Sequence, residues 1–395
     1  MDILKEMLLA GAAQGLLLAA VILSLQPSSN RTSSRLLALI VGLESAHLFF
    51  LYMSYSIPGA TPLSFRALFG LRVLDAPALF LYARALSDDH FRFDRRCLKH
   101  LWVMLPVLAL LLYVGNRSDW RGMSTIALQH ENTTMYWSLY HSTVFIGYGI
   151  GALLVLERHL RRMRHAVSSL DTVGLLWLQR LIVAVIAAHL AHIGFDVLRL
   201  LGALGPQPKI VLNLTATLAV IYWLSIGGLR QRAIFTESVR TALAAVDHGD
   251  MNPAATAHEL AQEPEKYAKS GLDEQRSGEI WLRLQQLLRC EQPFLDPELD
   301  LPALAKQIGV RPQELSQVIN SRSGGSFYDL INGYRIEAAK ALLRDDGQHR
   351  RKMLDIALSV GFSSQSTFYH QFKKITGVTP SLFREQPPEP RQLPA

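Results

Sequence analysis

The chain divides sharply near Arg230 into an apolar half and a polar half. Hydrophobic residues make up 49% and charged residues only 18% of the 395 residues, but the long apolar runs are confined to the first half. A helix needs about 20 apolar residues to cross the roughly 30 Å hydrocarbon core of a membrane. The first half therefore predicts membrane-spanning helices, whereas the second half has the composition of a water-soluble domain.

Seven segments before Arg230 are long and apolar enough to span a membrane. They are residues 7–25, 36–57, 63–86, 98–115, 136–156, 174–201 and 209–229. In the third segment, Arg66, Arg72 and Asp75 interrupt the apolar run. Pro77 would also kink a helix there, because proline removes a backbone hydrogen bond. The sequence predicts an all-α fold that begins with a seven-helix transmembrane bundle, a sensor or anchor domain over residues 1–232.

Basic residues crowd into alternate loops between these segments. They are Arg31, Arg35, Arg92, Arg95, Arg96, Lys99, Arg158, Arg161, Arg162, Arg164, Arg230 and Arg232. Short loops rich in lysine and arginine stay on the cytoplasmic side of a membrane. We therefore expect a multi-pass protein with its N-terminus outside and its C-terminal half in the cytoplasm.

The predicted spans carry more polar residues than an anchor needs. They are Glu44, His47, Arg72, Asp75, His189, His192, Asp196 and Arg199. A charged side chain that faces lipid costs several kcal/mol, so these groups should face the interior of the bundle. The last four are spaced by three, four and three residues, which places them on one helix face.

Three interpretations of these polar residues remain open. They form a structural network that orders the helices, a pocket that senses a ligand or protons, or a metal site of Glu44-x-x-His47 with His189 and His192. The spacing fixes no coordination number, so we predict neither a metal nor a cofactor. Cys97 and Cys290 lie far apart, and they support neither a disulfide framework nor a zinc site.

Beyond the apolar half, the composition changes twice. Residues 233–278 are polar and turn-rich and predict a connector, and the proline-rich residues 386–395 predict a disordered tail. Residues 279–385 have apolar positions at helical spacing and predict a small all-α domain. Its expected helices are Glu279–Cys290, Pro302–Ile308, Pro312–Asn320, Phe327–Leu343, Met353–Val360, Gln365–Ile375 and Pro380–Arg384.

The polar half contains an internal repeat. Leu304–Val310 matches Ile356–Phe362, and each copy has an alanine followed four residues later by a glycine, ahead of a second amphipathic helix. The small residue permits two helices to cross closely, and the glycine permits a tight turn. Two copies separated by one long helix predict a domain with two helix-turn-helix units.

The segment Leu282–Arg384 resembles the DNA-binding domain of the AraC family of bacterial transcription regulators. The residues that carry the resemblance are Tyr334–Leu343, Asp355–Ala357, Val360–Phe362, Ser364, Ser366, Phe368, Phe372–Lys374 and Thr376–Pro380. The apolar half, with Lys266–Leu272, resembles a subgroup in which a multi-span domain replaces the soluble ligand-binding domain. The resemblance implies double-stranded DNA as a partner, a homodimer on DNA, and a place in the inner (cytoplasmic) membrane with contact to the lipid bilayer.

The family pattern implies that both second helices enter successive major grooves about one turn, ~34 Å, apart. The base-contacting residues that it implies are Gln313, Ser316, Gln317, Gln365, Ser366, Tyr369 and His370. The implied phosphate contacts are Arg311, Asn320, Ser321, Arg322, Lys373 and Lys374. Glutamine suits the edge of adenine. His370 stands where many family members have arginine, which removes the basis for a bidentate guanine contact.

Other residues of this segment are expected in the core. They are Leu315, Val318, Ile319, Phe327, Tyr334, Ile336, Phe362, Phe368 and Phe372. Arg335 is expected to form a buried or half-buried ion pair.

The sequence leaves three functions open. No nucleophile elbow, phosphate loop or zinc-protease motif occurs, so we do not expect an enzyme. The net charge of +7 favours nucleic acid or an anionic lipid surface as a partner. The protein is predicted to be a membrane-bound regulator that senses a signal, a regulator with a passive membrane tether, or a transporter with a regulatory tail. The spans show no inverted repeat, which disfavours the transporter.

Overall fold

The computed structural model describes residues 2–24, 31–56, 70–109, 131–171, 174–203, 207–231, 234, 239–243, 273–344 and 351–385. These residues form helices and turns with one isolated antiparallel bridge, which confirms the all-α class. They divide into two compact units. Unit 1 comprises Met1–His159 and Leu175–Ala233, and unit 2 comprises Leu160–Gly174 and Ile234–Ala395. Most of the predicted connector, the predicted tail and the start of the predicted third span lie outside the described residues.

Unit 1 is built from long apolar helices. They are α1 (Asp2–Ser24), α2 (Arg31–Ser56), α3 (Asp75–Ser87), α4 (Glu131–Ala166), α5 (Leu176–Leu200) and α6 (Gln207–Arg230). The last turns of α4 belong to unit 2. Two 3-10 helices, Arg72–Leu74 and Arg95–Met104, lie before and after α3.

The prediction of seven spans is too high for the described residues. Four stretches are long and apolar enough to cross a membrane: Ile3–Ser24, Arg31–Met53, Trp137–Ala166 and Leu176–Leu200. The seventh predicted span falls on α6, where the apolar stretch Leu214–Arg230 is shorter.

The third and fourth predicted spans have a different local structure. Where the third was expected, a short 3-10 turn leads into α3, which has only 13 residues. Arg72 and Asp75 lie at that junction, and Asp75 is only 1% exposed within the protein. The described part of the fourth begins as the 3-10 helix Arg95–Met104. Hydropathy alone counted both segments as spans because it does not distinguish burial in protein from burial in lipid.

Glycine lets α1 pack closely in unit 1. A Cβ atom at Gly15 would collide with the Ser45 side chain of α2, and one at Gly11 would lie 2.7 Å from Leu218 of α6. Small residues permit such approach between apolar helices, where packing contributes most of the association energy.

Unit 2 contains the helices of the polar half. They are α7 (Glu274–Cys290), α8 (Leu301–Ile308), α9 (Pro312–Ser323), α10 (Phe327–Arg344), α11 (Met353–Ser359), α12 (Gln365–Thr376) and α13 (Pro380–Glu385). All seven predicted helices are confirmed, and their ends differ from the prediction by a few residues. The largest difference is that α7 begins at Glu274 and not at Glu279. A 3-10 turn, Pro293–Leu295, was not predicted.

Local capping explains where these helices begin. The Asp300 carboxylate accepts a hydrogen bond from the Ala303 backbone N–H at 2.8 Å before α8. The Ser364 hydroxyl accepts from the Thr367 backbone N–H at 3.2 Å before α12. Side-chain oxygens at these positions satisfy backbone donors that have no partner inside the helix.

Two hydrophobic clusters fill unit 2, one beneath each half of the repeat. The first includes Leu304, Leu315 and Ile331, and the second includes Ile356 and Phe368. Helix α10 contributes to both. Every residue predicted for the core is buried except Tyr334, which is half-buried against the first cluster.

Candidate DNA-binding site and membrane polar cluster

The two repeats form two helix-turn-helix units, as predicted. The first unit is α8 and α9, and the second is α11 and α12. Gly309 and Gly361 end the first helix of each unit with φ of +75° and +91°, a conformation that side chains disfavour. Ala305 and Ala357 are fully buried where the helices cross.

The predicted base-contacting residues lie on the second helix of each unit. Gln313, Ser316 and Gln317 are half-buried on α9. On α12, Gln365, Ser366 and His370 are exposed. Tyr369 is different, because its hydroxyl lies 2.9 Å from the Ser381 hydroxyl of α13 and its ring packs edge-on against Phe368.

Three of the predicted phosphate-contacting residues are paired with carboxylates inside unit 2. The Arg322 guanidinium lies 2.6 Å from Glu274, the Lys374 ammonium lies 3.1 Å from Asp329, and the Arg311 guanidinium lies 3.5 Å from Glu314. Asn320, Ser321 and Lys373 are exposed. A phosphate that binds the first three must compete with these carboxylates or share the cation with them.

Two of these carboxylates have lowered pKa values. Burial opposes ionisation of Glu314, but the backbone N–H and guanidinium of Arg311, together with Arg276, outweigh it and lower the pKa of Glu314. For Asp329, burial is likewise outweighed, by the Ser326 hydroxyl and the Lys374 ammonium, so its pKa is also lowered. Both carboxylates are therefore ionised at neutral pH and hold their cationic partners in place.

Arg335 on α10 is buried, as expected, but its hydrogen-bond partners are not carboxylates. Its Nε donates to the Phe294 carbonyl at 2.7 Å, and its Nη2 donates to the Asp296 carbonyl at 2.7 Å. Its Nη1 and Nη2 donate to the carbonyl and hydroxyl of Ser168 at 2.8 and 3.0 Å. The prediction of an ion pair is wrong, because backbone carbonyls turned inward by the 3-10 turn satisfy the guanidinium.

Burial lowers the pKa of Arg335 to about 10, so the guanidinium stays charged at neutral pH. Its Cζ atom lies 5.7 Å from the centre of the Phe362 ring. Arg335 therefore joins the loop before α8, the turn of the second helix-turn-helix unit and the segment that contains Ser168.

In unit 1, Arg72 gathers polar groups from separate helices. Its Nη1 lies 3.0 Å from His47 Nε2, and its Nη2 lies 3.3 Å from the Thr217 hydroxyl. The Glu44 carboxylate is 3.5 Å from Nη2. We call these residues and Asp75 the Arg72 cluster. Glu44, His47 and Asp75 were predicted to face inward, and each is buried.

His189 on α5 contacts two residues that the sequence analysis missed. Its Nδ1 lies 3.1 Å from the Ser142 hydroxyl, and its ring centroid lies 5.3 Å from that of His141. Both partners belong to α4 and are buried. A histidine and a serine inside the fifth predicted span were the signal that could have found them.

The other predicted polar residues of α5 lie further along the helix. Asp196 is buried, and His192 and Arg199 are half-buried. The described residues contain no group of three or more His, Cys, Asp or Glu side chains placed to hold a metal ion. The geometry thus offers no support for the metal interpretation, whereas hydrogen bonding among several helices fits either of the other two.

Comparison with known proteins assigns the C-terminal part of the chain. Residues 304–386 match a family model described as a helix-turn-helix domain. The uncharacterized regulator YtdP of Bacillus subtilis (strain 168) is 30% identical over 91 residues, which are 23% of this chain and 11% of YtdP. The chain therefore spans only a small part of that relative.

Two further relatives are also similar over about a fifth of this chain. The arabinose operon regulatory protein of Escherichia coli (strain K12) is 33% identical over 89 residues, which are 22% of this chain and 30% of that protein. PqrA of Proteus vulgaris, a probable transcription factor, is 35% identical over 88 residues, which are 22% of this chain and 69% of PqrA. Because the match covers more than two thirds of PqrA and the helix-turn-helix family model matches residues 304–386, the chain belongs to the AraC family of helix-turn-helix transcription regulators.

Proposed function

We propose that the protein is a membrane-bound, sequence-specific DNA-binding transcription regulator that responds to a signal sensed in or near the membrane. One observation carries the proposal: a single chain combines an AraC-type domain with four helices long and apolar enough to cross a bilayer. A regulator fixed in this way acts on DNA without leaving the membrane.

In this proposal the polar residues at the surface of α9, which are half-buried, and those of α12 read base edges. Gln313 and Gln365 hold equivalent places at the start of the two helices and suit adenine. The cationic residues beside them position the domain on phosphates, which makes the affinity depend on salt. The expected operator carries two short sites about one turn, ~34 Å, apart.

The proposed topology places the N-terminus outside and the AraC-type domain in the cytoplasm. The basic end of α4 supports this orientation, since Arg161 and Arg164 belong to the same compact unit as the helix-turn-helix helices. Arginine at the end of a membrane helix favours the cytoplasmic side.

Sensing is assigned to the Arg72 cluster and to the contacts of His189. A buried polar cluster can adopt two arrangements of its hydrogen bonds, and a ligand or proton shifts the balance by its differential affinity for the two. The Arg72 cluster joins α2 with α6, and the contacts of His189 join α4 with α5, so a local change in either would reach two helices.

The decisive experiment uses the full-length protein in lipid nanodiscs. We expect it to select a double-stranded DNA with paired sites from a random pool, and to fractionate with membranes from cells. Recovery of the protein in the soluble fraction would contradict the membrane placement, and failure to enrich any sequence would contradict the DNA function.

Sensing is tested with reporter output in cells. His189→Ala or Asp75→Ala should change the response to the signal while the DNA affinity of the full-length protein stays constant. Exchange of residues 1–159 and 175–233 for an unrelated bundle of the same topology is the control. Unaltered regulation after that exchange would show that the membrane part is a passive tether.

A further inference from the structure

The segment Leu160–Gly174 follows the apolar part of α4, yet it belongs to the compact unit of the DNA-binding domain. Beyond Ala166 the helix ends, and Val167 and Ser168 pair with Asp300 and Leu299 of that domain. Its apolar side chains are buried, with Met163 at 1%, Ala166 at 0% and Leu170 at 6% exposure. This burial indicates a packed interface, because removal of apolar surface from water is the main favourable contribution to such contacts.

Ser168 anchors the segment. Its backbone N–H and its hydroxyl both donate to the Leu299 carbonyl, at 3.2 and 2.6 Å. Its own carbonyl and hydroxyl accept from Arg335. Val167 adds an antiparallel bridge to Asp300. Ser168 is fully buried, so this part of the segment is a constituent of the domain core.

Asp171 lies at the start of the second recognition helix, α12. Its Oδ2 accepts a hydrogen bond from the Ser363 hydroxyl and its Oδ1 accepts one from the Thr367 hydroxyl, both at 2.5 Å. The Ser169 hydroxyl lies 2.9 Å from that of Ser363. The carboxylate therefore bridges two hydroxyls on either side of the N-cap residue Ser364.

A carboxylate at this place has the chemistry of a DNA phosphate. The N-terminus of a helix favours anions, because its backbone N–H groups lack partners and the helix dipole is positive there. Serine and threonine hydroxyls at such positions are common phosphate donors in protein–DNA complexes. The N-terminal residues of a recognition helix approach the duplex most closely, so an anion bound there competes with the DNA backbone.

We propose that residues 169–171 form an intramolecular brake on DNA binding, in which Asp171 occupies the phosphate position at the N-terminus of α12. The proposal rests on the DNA-reading function proposed above. Ser168 stays anchored by Arg335 while the exposed Asp171 side chain releases the Ser363 and Thr367 hydroxyls. DNA displaces Asp171, and any change in the membrane helix α4 that withdraws the segment has the same effect.

The size of the brake follows from its exposure. Asp171 and Ser363 are exposed, so water competes for both hydrogen bonds and each contributes modestly, on the order of 1 kcal/mol or less. Removal of the carboxylate should therefore tighten DNA binding by about three- to tenfold, since a ligand that binds only the open state gains in proportion to the open population.

The test measures DNA affinity of the full-length protein in nanodiscs at one fixed salt concentration. Asp171→Ala should bind its selected operator about three- to tenfold more tightly than the wild type, and Asp171→Asn should gain less, because the amide still accepts one hydrogen bond. Glu298→Ala is the control, since it removes the same charge from another exposed position of the domain. If Asp171→Ala and Glu298→Ala increase the DNA affinity equally, the effect is due to net charge, and the proposal is overturned.

Unchanged or weaker binding of Asp171→Ala would also overturn it, with the DNA function intact. If neither the wild type nor any variant binds DNA, the DNA function itself fails and the brake fails with it.

Discussion

The two helix-turn-helix units share a local design but have different neighbours. Each has a buried alanine, a glycine with positive φ and a second helix whose first turn carries glutamine. The first unit packs on α7 and is tied to it by ion pairs, Arg276 with Glu314 and Arg322 with Glu274. The second unit packs around Arg335 and contacts the segment that follows α4. The repeated sequence thus specifies the turn of each unit. The segments that pack against a unit, which differ between the two, determine which other parts of the chain can influence it.

The largest expected difference between the units concerns Arg335. Arg335→Met removes the guanidinium donors to the Phe294, Asp296 and Ser168 carbonyls and should destabilise the second unit by about 3–5 kcal/mol, because buried acceptors lose a charged donor. Hydrogen exchange of α12 and α9 in the full-length protein measures this. We expect exchange to accelerate mainly in α12. Arg335→Lys, which keeps the charge with fewer donors, is the control. Its stability should lie between that of the wild type and that of Arg335→Met. Equal losses in both helices would show that the units unfold together.

The turn glycines give a matched pair of variants. A Cβ atom at Gly361 would collide with the Phe294 carbonyl and lie 2.9 Å from Arg335 Nε, whereas one at Gly309 meets open space. Positive φ alone costs alanine about 1–2 kcal/mol, so Gly309→Ala should lower the free energy of unfolding by about that amount. Gly361→Ala should lose about 3 kcal/mol or more, since the collision adds to it. Unfolding of each full-length variant in urea measures the two losses of stability. A larger loss for Gly309→Ala than for Gly361→Ala would contradict the predicted collision.

The glutamines at the start of α9 and α12 test whether both units read DNA. Gln313→Ala and Gln365→Ala should each weaken operator binding by about 1–3 kcal/mol and relax the base preference at different positions, about one turn apart. Binding of the full-length variants to a set of single-base operator mutants measures both effects. Lys373→Ala is the control, because loss of a phosphate contact weakens binding equally for all sequences. If only one of the two substitutions changes the base preference, then one unit reads base edges and the other only positions the domain on the DNA backbone.

The smallest expected effect is a dependence on acid at the cap of the first unit. The lowered pKa of Glu314 means that its contribution is fully present above its unfolded pKa and is lost as the pH falls through the folded value. Protection factors, which remove the intrinsic pH dependence of amide exchange, should therefore be lower in the first turn of α9 at acidic pH than at neutral pH. The cap of α12 is the Ser364 hydroxyl, which does not titrate. Glu314→Gln should abolish the dependence on pH at α9, and a persistent dependence would assign it to another group.

The sequence predicted the DNA-binding helices well because their signals are local. Apolar spacing, two prolines in first turns and a glycine after each short helix are visible within a dozen residues. The partner of Arg335 was not predictable, since Ser168 lies 167 residues away in the chain and no local pattern marks such a contact. For the same reason the segment Leu160–Gly174 carried no signal of its place in unit 2.

The apolar half was predicted less accurately for a different physical reason. Apolar runs indicate helices, and α1, α2, α4 and α5 have the length to span a bilayer. Hydropathy gave no warning that Arg72 and Asp75 would lie at a helix junction, with Arg72 half-buried and Asp75 buried. The inward-facing polar residues were recognised from their cost in lipid, but which helices they would join depends on packing that the spacing does not encode.

The length of α4 has a mechanical consequence. At about 1.5 Å per residue, its 36 residues make a rod of roughly 54 Å, which exceeds the hydrocarbon thickness of about 30 Å. In the proposed placement its last turns stand in the cytoplasm and continue directly into the residues that hold Arg335 and Asp171. Helix tilt follows bilayer thickness, so in that placement we expect a change in lipid composition to alter the contacts that Ser168 and Asp171 make.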